Sequence, residues 1–400
     1  MRRLVWLAVA VGIAARLAFA FGYWVGKPLT HDEREYLLLA ANVAAGRGFV
    51  HLQADGTPAP GEHFGRAPVY PVFLAGLLRA TREEPGGGEA LLRTIRVAQS
   101  ALGGAVVWLV AWLAGRAAGP RASVAGAWLA ALYPPLVWTP AYIWSETLFS
   151  VVALGCVAVL TASPRSLLRC AAAGALAGLA VLTRPAMLFF LPLAALWLAW
   201  NREWRGLAAL GLACAVVIAP WTARNAREYG RFVLVASEGG ITFWTGNHPL
   251  AIGEGDLAAN PQLKRQNVAL RARHPGLSPE ALEPIYYREA LQFIREQPAA
   301  WAGLMVRKAF YSVVPVGPSY RLHSALYYGA SALSYLAVLP FALLGLMRLA
   351  RAGRLPVPLL LLAASACLVG LVFFPQERFR IPVLDPTLLV MAASWWALRA

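Results

Sequence analysis

Thr30-His31-Asp32-Glu33-Arg34-Glu35-Tyr36 crowds Asp32, Glu33 and Glu35 directly behind the first apolar segment of the chain. In a helix starting here, Asp32, Glu35 and Tyr36 are spaced i, i+3 and i+4 and share one face. An accessible carboxylate in such a place can take a proton from an attacking hydroxyl. The competing reading is structural: Asp32 as the N-cap, with Glu33 and Glu35 as first-turn acids suited to the helix dipole.

Other residue groups match a charged reaction. Gly65-Arg66-Ala67-Pro68-Val69-Tyr70-Pro71 brings an arginine into a proline-stiffened turn. Ser145-Glu146, Thr183-Arg184-Pro185 and Pro220-Trp221-Thr222-Ala223-Arg224-Asn225 sit at ends of apolar runs. A Gly-rich aromatic loop, Glu238-Gly239-Gly240-Ile241-Thr242-Phe243-Trp244-Thr245-Gly246-Asn247-His248-Pro249, is followed much later by Gln376-Glu377-Arg378-Phe379-Arg380. Each has an ordinary counterpart. Arginines at span ends snorkel to headgroups, Glu146 can cap a helix, and the Gly-rich loop is neither a Walker A nor a GxGxxG fingerprint. His31, His51 and His63 lack ligand-like spacing, and no DxD motif is present, so no metal ligand is assigned, although a divalent metal remains compatible with the acids.

The elements that must position these residues are membrane helices. The chain has 400 residues, 59% hydrophobic and 14% charged, with a mean hydropathy of +0.55. Soluble domains run about 45–50% apolar and about 25% charged. Apolar runs near 20 residues long recur, which predicts an all-α polytopic membrane protein. Spans are expected at about 4–25, 91–114, 122–142, 146–161, 169–183, 186–200, 206–221, 324–347, 356–374 and 381–397, about ten in all. Arg16 lies inside the first and must snorkel or face a protein-lined interior. Three segments, 33–45, 68–80 and 298–315, read as interfacial helices: the second is too short for a ~30 Å hydrocarbon core, and the third carries Arg307 and Lys308 mid-run. The polar stretches are 26–66, with Asp55, Glu62 and the three histidines, and 222–298.

Arginine asymmetry sets the orientation. With the N-terminus inside, the inner ends hold Arg2 and Arg3, Arg116 and Arg121, Arg165 and Arg169, Arg202 and Arg205, Arg348, Arg351 and Arg354, and Arg399, against one acid, Glu203. All other carboxylates fall outside. A span at 68–80 would invert every later loop and destroy the pattern. The N-terminus imitates a signal peptide and is read as an uncleaved anchor. Cys156, Cys170, Cys214 and Cys367 lie in apolar runs and read as small core residues.

Net charge is +16, but its concentration at inner loop ends points to a membrane and not to nucleic acid. A carboxylate base, several arginines and an aromatic loop on one membrane face suit an anionic, lipid-linked substrate. A sugar joined through phosphate to a polyprenol needs little acid catalysis at its leaving group. It needs charge neutralisation, which bidentate arginine supplies.

These motifs resemble the GT-C glycosyltransferases of bacterial inner membranes, in the branch of protein O-mannosyltransferases and lipid A aminoarabinose transferases. The matching residues are Asp32-Glu33-x-x-Tyr36, Gly46-Arg47-Gly48-Phe49, Arg66-x-Pro68-x-Tyr70-Pro71, Tyr133-Pro134-Pro135 with Ser145-Glu146, Thr183-Arg184-Pro185, Pro220-Trp221-x-x-Arg224-Asn225, Gly246-Asn247-x-Pro249 and Arg378-x-x-x-Pro382. Ala67 stands where the family has the first of two prolines. The resemblance implies the GT-C fold with periplasmic juxtamembrane helices. It implies an inverting transferase taking sugar from a polyprenyl-phosphate donor to a lipid, glycan or protein acceptor at the periplasmic face. Residues 1–221 would be the transmembrane module with its first periplasmic loop at 26–90. Residues 222–323 would be a periplasmic loop with a juxtamembrane helix, and 324–400 the last membrane helices. Asp32 takes the place of the catalytic base, with Glu33 orienting it or the acceptor. Arg66, Tyr70, Arg184, Arg224 and Arg378 are the candidates for donor phosphate; Tyr36, Glu146, Trp244 and Asn247 for acceptor or sugar.

A transporter or flippase for lipids or lipid-linked sugars is the rival reading. It predicts paired broken helices and intramembrane acids in two matching halves, and no such repeat is visible. A non-catalytic assembly protein is the third.

Overall fold

The computed structural model describes residues 1–52, 58–63, 66–81, 88–162, 166–319 and 324–398, with only the backbone path at 51–52 and 58–63. Asp55, Arg165 and Arg399, and the side chains of His51, Glu62 and His63, lie outside the described residues. Every apolar run expected to be a span contains helix. α1 (Arg2–Ala18) continues as a π turn to Tyr23; α2 is His31–Ala44, α3 Val69–Thr81 and α4 Glu89–Ala118. Next come α5 (Pro120–Leu132), α6 (Pro134–Trp138), α7 (Glu146–Thr161), α8 (Leu167–Thr183), α9 (Phe190–Trp200) and α10 (Trp204–Tyr229). The polar stretch folds as α11 (Gly239–Gly246), α12 (Pro261–Arg273) and α13 (Pro279–Glu296). The chain then forms α14 (Pro298–Val313), α15 (Ala325–Arg351), α16 (Val357–Val372), α17 (Glu377–Arg380) and α18 (Leu384–Ala397). A small antiparallel ribbon, β1 (Val50–Leu52) with β2 (Pro58–His63), is the one departure from all-α architecture among the described residues.

The expected count of ten spans is corrected. Four helical segments are long and apolar enough to cross a membrane: Arg2–Tyr23, Glu89–Ala118, Trp204–Tyr229 and Ala325–Arg351. The other runs form shorter helices. Gly119-Pro120 and Pro134-Pro135 bound α5 at 13 residues; α7 and α16 reach 16 residues each. At 1.5 Å per residue, 16 residues cover ~24 Å, short of a ~30 Å hydrocarbon core. Hydropathy reports where the apolar residues are and not how much continuous helix they make: proline bounds α5, whereas Pro220 and Pro340 lie inside the long helices α10 and α15.

One large core joins α1, α4, α5, α7, α8, α9, α16 and α18. Small residues allow its closest contact: a Cβ on Gly174 or Gly178 of α8 would run into the α10 backbone at Leu210 or Cys214. Two glycines four apart give the approach that membrane helices use where no hydrophobic force drives them together. Arg16 is buried and donates to the carbonyls of Gly12, Ala130 and Ala131 at 2.7, 3.2 and 3.3 Å, so it faces protein and not lipid. Cys156, Cys170 and Cys214 are buried, and Cys367 is half-buried. A second core packs α2 and α3 against Leu91 and Ile95 of α4, and a third unites α11, α12 and α13.

Candidate active site

The start of α2 decides where its acids point. Thr30 is the cap: its Oγ1 accepts from the Glu33 N–H at 3.4 Å, while Glu33 Oε2 accepts from the Thr30 N–H at 2.7 Å. This reciprocal pair is a capping box. The second Glu33 oxygen accepts from the Ile143 N–H at 3.0 Å, fastening α2 to the segment before α7. Glu33 is thereby fully buried, and Asp32 is released from capping.

Asp32 is held instead by two arginines from distant parts of the chain. Arg66 Nη2 lies 3.0 Å from Oδ1, and Arg378 Nη1 lies 2.6 Å from Oδ2. Arg66 also donates from Nε to Glu35 Oε2 at 2.8 Å, lies 3.7 Å from Glu238, and covers the Tyr36 ring at 4.9 Å. Arg184 Nη1 pairs with Glu146 Oε1 at 2.7 Å and donates to Ser145 Oγ at 3.1 Å. Glu146 is also 4.0 Å from Arg378 Nε. The Phe379 ring lies 5.4 Å from both the Arg184 and Arg378 guanidiniums, and Trp144 lies 5.6 Å from Arg378. Burial alone would raise the Asp32 pKa, but Arg378 and Arg66 outweigh it and hold the carboxyl well below its ordinary range. Arg66, although buried, is pushed above its ordinary value by Glu238, Tyr36, Glu35 and Asp32.

All of these groups except Glu35 line a cavity of about 550 Å³. Its lining includes the charged side chains of Asp32, Arg66, Glu146, Arg184, Glu238 and Arg378 and the apolar ones of Leu188, Phe189, Leu362, Val369 and Phe373. A neighbouring groove along α13 shares Phe232, Val233, Glu283 and Tyr287 with it.

The structure thus brings together Asp32, Tyr36, Arg66, Glu146, Arg184 and Arg378. It places the other candidates elsewhere. Tyr70 is buried behind Tyr36, donating to Gln99 Oε1 at 3.0 Å. Arg224 lies among Trp221, Tyr229 and Phe49, at 5.0, 5.6 and 5.8 Å. Trp244 is buried and donates to Glu289 Oε2 at 3.0 Å. Asn247 is buried too, donating to the Phe243 and Val372 carbonyls and accepting from Trp301 and Lys308. Glu35 and Glu238 joined the cluster without having been assigned a role. The signal for Glu35 was its spacing from Asp32; Glu238 carried none beyond its place before the Gly-rich loop.

Among the described residues, His31, Asp32 and Glu35 form a group that could hold a metal ion, each offering a ligand atom within 4.8 Å of the others. Two carboxylates and an imidazole suit a divalent cation. Arg66 already bridges Asp32 and Glu35, so a cation there would compete with its guanidinium.

No protein-family model matches the chain, and no curated protein does. Solved structures do. The oligosaccharyltransferase AglB of Archaeoglobus fulgidus, in complex with an inhibitory peptide and a dolichol-phosphate, aligns with a TM-score of 0.60 at 15% identity, over 99% of this chain and 50% of AglB. The apo form of that enzyme gives 0.60 at 16% identity. The chain shares the fold of the archaeal oligosaccharyltransferase. The relation is a distant structural one, and the chain spans about half the length of the archaeal enzyme. ArnT from Cupriavidus metallidurans, bound to undecaprenyl phosphate, aligns at a TM-score of 0.44 and 17% identity over 98% of this chain and 76% of ArnT.

Proposed function

We propose that the protein is an integral membrane glycosyltransferase. It moves a sugar from a polyprenyl-phosphate donor to a lipid, glycan or protein acceptor at the outer, periplasmic face of a bacterial inner membrane. The observation that carries this reading is Asp32 at 3.0 and 2.6 Å from Arg66 and Arg378, in a cavity lined by both charged and apolar side chains. The apolar lining suits the prenyl chain, and the arginines suit the phosphate. The archaeal structure of like fold holds a dolichol-phosphate, in keeping with such a donor.

In this reaction the acceptor hydroxyl attacks the anomeric carbon from the face opposite the phosphate. The carbon–oxygen bond to the phosphate breaks, and the polyprenyl phosphate leaves with the electron pair. Asp32 takes the hydroxyl proton, and Arg66 and Arg378, with Arg184 behind them, neutralise the leaving phosphate. A carboxylate gripped by two arginines is a weak base. A phosphate drawing one arginine toward itself strengthens it, so donor binding prepares Asp32 for the acceptor.

Purified protein in nanodiscs should bind undecaprenyl phosphate by native mass spectrometry, and Arg66→Ala should weaken that binding about tenfold or more. Unaltered affinity in Arg66→Ala, Arg184→Ala and Arg378→Ala alike would remove the phosphate from this cavity and end the reading.

A further inference from the structure

α17 is four residues long, too short to hold its own shape or direction. Arg378 lines the cavity, Glu377 and Arg380 do not and are buried, and Phe379 lies between, lining both that cavity and a separate one of about 30 Å³ shared with Glu377 and Arg380. Glu377 accepts a hydrogen bond from Ser331 of α15. Arg380 Nε lies 2.8 Å from Asp385 Oδ1 at the start of α18, and its guanidinium rests 4.0 Å from the centre of the Tyr335 ring on α15. The next turn is tied as well, because the Pro382 carbonyl accepts from Ser150 Oγ of α7 at 2.8 Å.

Burying Arg380 and Asp385 costs several kcal/mol per ion before their attraction repays it, and well-packed apolar side chains often serve stability as well or better. Stability alone therefore does not explain the pair. Orientation does. Arg378 is two residues from Arg380 on one short turn, so fixing Arg380 against α15 and α18 fixes where Arg378 can reach.

We propose that the sealed Arg380–Asp385 pair, seated on Tyr335, is a positioning device that holds Arg378 at the cavity wall for the donor phosphate. Arg380 and Asp385 touch no substrate; they act through Arg378. The inference rests on the donor reading above.

The test is a coupling measurement on the full-length protein in nanodiscs, with undecaprenyl phosphate as the probe. Arg378→Ala, the paired replacement Arg380→Met with Asp385→Leu, and the three changes together are compared by dissociation constant and melting temperature. Arg378→Ala should weaken binding about tenfold. The paired replacement should keep the melting temperature within a few degrees and weaken binding by a similar factor. All three together should bind no worse than Arg378→Ala alone, because residues acting through one another are not additive. Wild-type affinity in the paired variant, or losses that multiply in the triple variant, would overturn the positioning role while leaving the donor site standing. Unchanged affinity in Arg378→Ala would overturn both. Should the paired variant fail to fold, Asp385→Glu keeps the charge but lengthens the arm. Weakened binding at unchanged melting temperature supports the role there; wild-type binding rejects it.

Discussion

Two arginines two residues apart in the chain, Arg378 and Arg380, each meet a carboxylate, and the two pairs sit in opposite surroundings. Arg378 meets Asp32 in an open cavity, with side chains 27% and 23% exposed. Arg380 meets Asp385 in a sealed seam, at 8% and 0%. The ion pairs have similar lengths, 2.6 and 2.8 Å, so distance does not separate them. Accessibility does. A pair that a ligand can enter can exchange its partner for phosphate, whereas a buried pair holds its neighbours in place.

Breaking the sealed pair on one side should have the largest effect. Asp385→Asn leaves Arg380 buried without its counter-charge, which costs roughly 3–5 kcal/mol. A fall of several degrees in the detergent melting temperature is expected, and a melting curve matching wild type would contradict the contrast. The open pair should answer differently. Asp32→Asn keeps the side-chain shape and should lower turnover ~10²-fold or more with melting temperature and donor affinity nearly retained. Near wild-type transfer by purified Asp32→Asn protein would end its role as base.

Two smaller changes sharpen the boundary of the cavity. Glu33→Gln alters the capping box and its bond to Ile143, so about 1 kcal/mol of stability should go, with turnover affected far less than in Asp32→Asn. Collapse of turnover at unchanged stability would return Glu33 to the reaction. Arg224→Ala, outside the cavity wall, should change the donor Michaelis constant by less than about twofold, in line with surface substitutions; a tenfold rise would bring Arg224 back to the phosphate.

The positions of the apolar helices were legible from hydropathy alone, since each run from α1 to α18 contains one. Their lengths were not, because Pro120, Pro134 and Pro135 interrupt helices that composition treats as continuous. At the site, Asp32, Arg66, Arg184 and Arg378 stood out as charges at the ends of apolar runs, a place where charge is costly. Which of them meet depends on contacts as far apart as Asp32 and Arg378, which no local pattern reports. The same limit hid the difference between Asp32 and Glu33. They are adjacent acids, and the N–H groups of Thr30 and Ile143 make Glu33 the buried tie while Asp32 turns to the arginines. Arg224 and Asn247 look like site residues in one dimension because they flank tryptophan and glycine. In three dimensions Trp221, Tyr229 and Phe49 surround the Arg224 guanidinium, and Phe243, Val372, Trp301 and Lys308 hold the Asn247 amide.

The bond between Asp32 and Arg378 spans 346 residues. At about 5–20 residues per second of synthesis, a ribosome needs roughly 17–70 s between making the two. Arg66 emerges soon after Asp32 and can screen it alone through that interval. The cavity therefore cannot close until α17 has left the ribosome, so a chain stalled before α17 carries the acid but not its second guard.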